Sequence, residues 1–585
     1  MKLIKYCLCI SFMWFINIQV SHSQNVIVDG NSFLELQSIH DSVKVIFNRT
    51  APSAYSDSVY SDSAGYFTIS IPTGIYDINY SKDQYIPINL TGNVLFVNTT
   101  ISDTTLESLG LNGQLSGTLL AGIYKVGDDI EVASGDTLII NPGVTLLFKS
   151  DKKFEINGLL WAIGNQIDSI ILSKYDSSDW AGLIFNSISD SSSILSYSRI
   201  EYAVIGLKVN QCTPHLSQIK LNNNAKGMGV FATGKSISLD NFTIINNHND
   251  NSFSLNGNNA AGIDVVGSPT DSVELRNFRI LNNSNTNHLF NNLTIGGLWA
   301  GGLKLKLINS IVAGNSGQVG GIYFDSAPGQ LEIYNSTVVD NTAQNIYGLS
   351  SCVGGISYWG FLSPIYVYNS IIAFNLAPTG AQCGGLFDRH FITPDIRYND
   401  FWNNSPGDYC TDSISFINFN VTINANGDSC DVYNNIRFNP NFTNQPSQDY
   451  HLNNPNILVD AGNNLYVNMS LDLDGNPRIT DGDNNTSVIV DMGAYESLGP
   501  NPVNYSYDNT HLILFPNPVN DKLNVAISNN ELSEIILYDI ASRKLLQQKF
   551  INSLTLNISQ LAKGIYIYEV RYGNGLCKKG KVVKD

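Results

Sequence analysis

The chain has 585 residues, with 33 basic against 50 acidic side chains and a formal net charge of −17. It is too long for one ordinary hydrophobic core, and its acidity argues against a nucleic-acid partner. Charged residues are only 14% of the chain and no stretch sustains a 3.6-residue apolar period, which argues against a helical bundle and predicts an almost wholly β protein.

Residues 1–23 read as a secretory signal peptide. Lys2 and Lys5 form the positive start, Tyr6 to Val20 the apolar run, and Ser21-His22-Ser23 a small-x-small cleavage site before Gln24. The run is too short to span a bilayer comfortably and no later stretch qualifies, so no transmembrane segment is expected. Cys7 and Cys9 lie inside that run, not at its end, which argues against a lipid-modified N-terminus. Six further cysteines follow, and an oxidising compartment allows disulfides among them. Cys352 and Cys383 stand just before consecutive Gly-Gly pairs, where stacking would bring them near one another; Cys410 and Cys430 would staple the end of the stack. No histidine accompanies them at metal-ligand spacing.

Residues 24–105 form a first small unit. Ser63 to Ile78 alternates apolar and polar residues on both sides of Pro72-Thr73-Gly74, a pattern that predicts a β-hairpin. With its Gly65-Tyr66-Phe67-Thr68-Ile69 strand and its Gly74-Ile75-Tyr76-Asp77-Ile78 strand, the segment resembles the carboxypeptidase regulatory-like domain, a small β-sandwich. The family's following Gly-Tyr pair is Gln84-Tyr85 here. The resemblance implies an accessory or spacer role and brings no catalytic residues.

From 106 to 435 the chain reads as a solenoid. Short strands such as Val144 to Phe148 and Trp180 to Phe185 alternate with turn signals such as Asn141-Pro142-Gly143. Then a segment Asn-x-x-(apolar)-x-x-Asn returns six times: Asn241 to Asn247, Asn277 to Asn283, Asn309 to Asn315, Asn335 to Asn341, Asn369 to Asn375, and the shorter Asn399 to Asn404. The interval drifts between 26 and 36 residues, and a glycine followed by an apolar residue usually stands upstream, as at Gly321-Ile322, Gly355-Ile356 and Gly385-Leu386. Such a drifting period predicts stacked coils, with the asparagines forming amide ladders at the turns. These features resemble secreted right-handed parallel β-helices. The expected fold class is all-β, a β-helix flanked by two small β-sandwiches.

Residues 436–499 carry Val459-Asp460-Ala461-Gly462, Asp472-Leu473-Asp474-Gly475-Asn476-Pro477-Arg478 and Asp491-Met492-Gly493-Ala494-Tyr495-Glu496. These resemble the choice-of-anchor Q segment that closes many secreted β-helices. Asp460, Arg478, Asp491 and Glu496 read either as an acid–base cluster or, preferably, as a paired network that fixes the cap. Asp472, Asp474, Asp481 and Asp483 are Ca²⁺ candidates without full EF-hand spacing, so no cofactor is expected unless it is Ca²⁺. A polar linker, 500–510, leads to residues 511–585. There Phe515-Pro516-Asn517-Pro518, Leu537-Tyr538-Asp539, Leu561-Ala562-Lys563-Gly564-Ile565-Tyr566 and a basic tail resemble the type A sorting domain of the type IX secretion system. The resemblance implies the secretion machinery as a partner, with removal of the domain and attachment at the cell surface or release.

No nucleotide, zincin or nucleophile-elbow motif occurs. Alternation places one candidate surface. Residues one after Gly321, Gly355 and Gly385 point inward, and those two and four after point outward. Asp325, Trp359 and Arg389 would then stack in a column beside Tyr323, with Asp388 and His390 adjoining. An aromatic ring flanked by Asp and Arg suits a sugar, so the expected function is binding of extracellular polysaccharide or another surface, without a clear catalytic site. The alternatives are a polysaccharide lyase or glycoside hydrolase working in a groove, and a purely structural adhesin or stalk.

Overall fold

A computed structural model describes residues 24–499 and 512–585, apart from 84, 251–258, 288–292, 326–327, 347, 361–362, 390–392, 413–420, 425, 528–531, 541–542 and 573–575. The expected signal peptide, the linker and His390 therefore lie outside the described residues. Among those described there are β-strands and three single-turn 3-10 segments, and no helix long and apolar enough to cross a membrane.

The first unit ends at Gly110. Its strand Asn25–Leu34 pairs antiparallel with Tyr66–Pro72, while Lys44–Ala51 pairs antiparallel with Tyr55–Tyr60 and Gly74–Ser81. The expected hairpin is thus not one: the two strands around Pro72-Thr73-Gly74 belong to different sheets. Their alternation is nevertheless satisfied, because Phe67 and Ile71 from one sheet and Tyr76, Ile78 and Tyr80 from the other bury in a single core between them. A hairpin and a sheet-crossing turn share the same two-residue period, so periodicity alone does not separate them.

The second unit, from Leu111, is a parallel β-helix. A 29-stranded sheet winds around one apolar lumen filled by residues such as Phe242, Phe278, Val312, Ile333 and Ile372. Equivalent residues stack coil on coil, and the rings of Phe242 and Phe278 lie face to face, 5.0 Å apart. Each such side chain contributes roughly 1.5–3 kcal/mol by leaving water.

The recurrent asparagines divide into two structural kinds. The first of each of the five longer repeats, Asn241, Asn277, Asn309, Asn335 and Asn369, turns a corner with φ between 46° and 62°, a left-handed conformation that asparagine tolerates better than most residues; in the short sixth repeat Asn399 is instead buried and bonded to Asn435. The second of each repeat enters a buried ladder. Asn283 Nδ2 donates to Asn315 Oδ1, Asn315 to Asn341, Asn341 to Asn375 and Asn375 to Asn404, all at 2.9 Å. Each of these amides also donates to a carbonyl of a neighbouring coil, as Asn341 does to Val312 at 2.8 Å. The ladder satisfies polar groups that the lumen would otherwise strand.

Residues 436–497 lie along the corner column. Asn463 N donates to Asn369 Oδ1 and Arg478 Nη2 to Asn309 Oδ1, at 2.8 and 2.6 Å. The last strands form a β-sandwich, with Leu512–Phe515, Lys522–Ile527 and Ser553–Asn557 in one sheet and Lys544–Phe550, Ser533–Tyr538, Gly564–Tyr572 and Leu576–Lys584 in the other. Val525, Ile535, Leu537 and Val570 fill its core, and Phe515 packs edge-on against Trp161 of the helix.

Candidate functional site

The glycine edge is built by close backbone approach. A Cβ on Gly355 would stand 2.6 Å from the carbonyl oxygen of Gly385, so only glycine lets successive coils stack there. From that edge run the strands Ile322–Asp325, Ile356–Trp359 and Leu386–Asp388. Their register pairs Tyr323 with Ser357 and Phe387, and Asp325 with Trp359.

The two outward positions meet different fates. Tyr323 and Phe387 turn away from the lumen but are buried, roofed by Val319, Val353 and Cys383 from the segments just before each Gly-Gly pair. Burial pushes the Tyr323 phenol well above its ordinary value, and its hydroxyl bonds to Asp325. Only the next position reaches the surface. Asp325 is exposed, its carboxyl raised by partial desolvation against the opposing Tyr323 bond. Trp359 is half-buried and donates Nε1–H to Ser357 Oγ at 3.0 Å. The Arg389 guanidinium lies 4.4 Å over the Trp359 ring and pairs with Asp412 at 2.8 Å. One face of the indole is therefore covered by a cation held in place by a carboxylate. Asp388 does not join this column. It is fully buried in the lumen, stacked on Tyr358, and accepts a hydrogen bond from the Tyr409 hydroxyl at 3.0 Å. Three residues past the glycine, it has the inward parity.

The expected cysteine pairings are also corrected. Among the described residues a disulfide joins Cys383 to Cys410 and ties the last two coils of this face, while Cys352 and Cys430 are buried thiols. Val353, not Cys352, stacks on Cys383, so the Cys352 side chain is turned away from it.

In the cap, Arg478 and Glu496 form a buried ion pair at 3.2 Å. Asp491 accepts the backbone N–H groups of Asp460 and Ser497, and Asp460 accepts those of Gly482 and Asp483. These four residues knit the cap together. Burial pushes Asp491 up to about 8 and Asp460 up to about 6. The four Ca²⁺ candidates separate. Asp472 accepts three backbone N–H groups, from Asp474, Asn476 and Glu496; Asp474 binds His451 and Arg279. Asp481 and Asp483 instead group with Asp460, with carboxylate oxygens within 4.8 Å of one another. Much of that acceptor capacity already serves the turn, through Gly482, Asp483, Asn485 and Thr486.

Two features escaped sequence reasoning. Lys226 and Asp264 form a buried ion pair at the first coils of the glycine edge. On the neighbouring sheet, Tyr334 and Tyr368 turn away from the lumen with tilted rings 5.3 Å apart, and Tyr368, itself buried, lies flat against Tyr466 of the cap at 4.1 Å. Their signal in the sequence is a tyrosine one residue before the first asparagine of two consecutive repeats.

Residues 513–585 match the family described as "Secretion system C-terminal sorting domain". The match marks the protein as secreted, attached to the cell surface and recognised by the type IX secretion machinery. No curated protein matches the chain. Among solved structures, a chain of a type II cohesin–X–dockerin complex from Acetivibrio cellulolyticus aligns at 16% identity, over 14% of this chain and 58% of that one, with a TM-score of 0.13. That score carries no argument about fold or activity.

Proposed function

We propose that this secreted, surface-attached β-helix protein binds extracellular polysaccharide, with Asp325, Trp359 and Arg389 as one contact edge. The observation that carries the reading is the stacked, ion-paired Trp359–Arg389–Asp412 set with Asp325 in register beside it. An indole whose polar neighbours are already fixed offers a sugar C–H contacts and hydroxyl partners at little ordering cost. In this reading residues 24–105 are a carboxypeptidase regulatory-like spacer and 436–499 a choice-of-anchor Q-like cap.

The test is retention of the mature protein on a polysaccharide panel, scored at the same time for unsaturated or reducing-end products. Retention without products is expected, and Trp359→Ala or Arg389→Ala should weaken it about tenfold, the equivalent of 1.4 kcal/mol. Unchanged retention in both variants removes this edge. Product formation moves the protein to the lyase or hydrolase class.

A further inference from the structure

The strands Lys304–Ile308, Gln330–Tyr334, Ile365–Tyr368 and Asp395–Arg397 stack in register with the first half of Ser272–Leu281. Alternation turns two columns away from the lumen: Glu274, Lys306, Glu332, Tyr366 and Asp395, and beside it Arg276, Ile308, Tyr334, Tyr368 and Arg397, of which Ile308 and Tyr368 are themselves buried. The cap forms a wall along one side, through Tyr466 on Tyr368 and Asn468 on Lys306.

We infer that this tyrosine-floored face is a second glycan-binding site, selective for uncharged polysaccharide laid along the coil axis. The inference rests on the polysaccharide reading above, but it names a different face and a narrower ligand class.

Three observations carry it. First, the floor is aromatic and pre-set. Tyr334 donates its hydroxyl to Glu332 at 3.0 Å and Tyr368 to Asp395 at 2.8 Å, while the Lys306 ammonium stands 4.9 Å over the Tyr334 ring. A ring held by its own hydroxyl stays in place without further ordering on binding; Tyr368 is buried beneath Tyr466, so Tyr334 and the half-buried Tyr366 are the rings a sugar reaches. Second, charge cancels locally. Lys306 is stacked between Glu274 and Glu332, and Arg397 pairs with Asp395. No net field remains to select an ion, so a uronate-bearing chain gains nothing there over a neutral one, because the cations Arg276 and Arg397 are already paired with Glu274 and Asp395. What alternates from coil to coil, every 4.8 Å or so, is donor, acceptor and ring, the set that hydroxyls and sugar C–H bonds require. Third, the carboxylates are engaged. Glu332 and Asp395 lie two coils apart, about 9.6 Å between strands, close to the roughly 6.5–9.5 Å between carboxyls in inverting hydrolases. But Glu332 accepts from both Gln330 and Tyr334, and Asp395 from both Arg397 and Tyr368. Both carboxylates are thus fixed as acceptors within the face and set its hydrogen-bonding pattern, which is the basis of a binding assignment.

The test is affinity electrophoresis of the mature protein through gels containing hydroxyethylcellulose, galactomannan, mixed-linkage glucan or polygalacturonate. Wild type is expected to be retarded by at least one neutral polymer and to pass polygalacturonate freely. Tyr366→Ala should lose about tenfold in affinity, Tyr366→Phe should keep it because the ring face remains, and Glu332→Gln should lose severalfold without altering the thermal transition. Retardation by polygalacturonate alone overturns the uncharged class. Retardation abolished in Trp359→Ala but intact in Tyr366→Ala and Glu332→Gln overturns this face while leaving the glycine-edge reading standing. Passage through every gel overturns both.

Discussion

The two asparagines of each repeat stand six residues apart in most repeats and have opposite structural roles. Asn341 sits in the buried ladder, bonded above, below and sideways, whereas Asn277 turns a corner at φ 56° and makes two partly buried bonds, donating to Asp240 and accepting a long one from Asn309. The ladder position needs the amide for hydrogen bonding; the corner position needs asparagine chiefly for its tolerance of a left-handed backbone. One residue type thus serves two physical purposes, and the spacing between them is the width of one strand plus its turns.

The largest expected effect follows from breaking the ladder. Asn341→Ala strands the Asn315 amide donors and the Val312 carbonyl in an apolar interior. At roughly 1–3 kcal/mol for each of the three orphaned groups, the loss should be roughly 3–9 kcal/mol. Urea unfolding followed by circular dichroism measures it. A loss below about 1 kcal/mol would mean that the ladder is not what holds the coils in register.

A middle effect concerns the corner column where the cap docks on it. Asp491 and Asp460 have carboxyls pushed above their ordinary values by burial. Across about pH 4 to 8 the folded state therefore holds protons that the unfolded state has released, and stability falls as pH rises. His451 acts in the same direction. Burial works to lower its pKa, but its bonds to Asp474 and Asp449 prevail and raise it, so the stability it supplies is lost as pH climbs through its folded value. The bond to His451 holds Asp474 low, but that contribution is lost only in stronger acid. Thermal unfolding is expected at higher temperature at pH 5.5 than at pH 8.5. Asp491→Asn, whose amide does not titrate, should flatten the slope even while sacrificing an acceptor at every pH. A slope left unchanged by Asp491→Asn would place Asp491 ionised beside Arg478 throughout.

How far these features were legible in the sequence depends on what sets them. The repeat asparagines and the Gly-Gly pairs are dictated by local backbone demands, a left-handed corner and a close approach of chains, so they recur visibly. The alternation rule correctly turned Asp325, Trp359 and Tyr323 out of the lumen. It had no means of showing that Val319, Val353 and Cys383 roof Tyr323 and Phe387, because that packing joins different segments of each coil. Asp388 was misplaced although its odd position after Gly385 already gave it inward parity. The Cys383–Cys410 pair depends on which residue of Cys352-Val353 meets the next coil, a one-residue question that a drifting period leaves open. The tyrosine face was passed over because alternating Tyr, Lys and Glu read as any solvated strand until register stacks them.

The smallest expected effect completes the contrast between ladder and corner. Asn277→Gly gives up the 2.7 Å bond to Asp240 and the weak 3.4 Å bond accepted from Asn309, but places at φ 56° the one residue with no Cβ penalty there. The lost bonds, together worth about 1 kcal/mol, and the relieved left-handed cost, of similar size, should nearly cancel and leave a change within about 0.5 kcal/mol. Asn277→Ala keeps the cost and loses the bonds, so it should fall roughly 1–2 kcal/mol below Asn277→Gly. The order Gly above Ala is the reading that matters, and urea midpoints of the two variants supply it. At the ladder the order carries no such meaning, since neither glycine nor alanine can replace the amide of Asn341. If alanine proved as good as glycine at 277, the corner asparagines would be retained for their side-chain bonds, and the division between the two columns would collapse into one of burial alone.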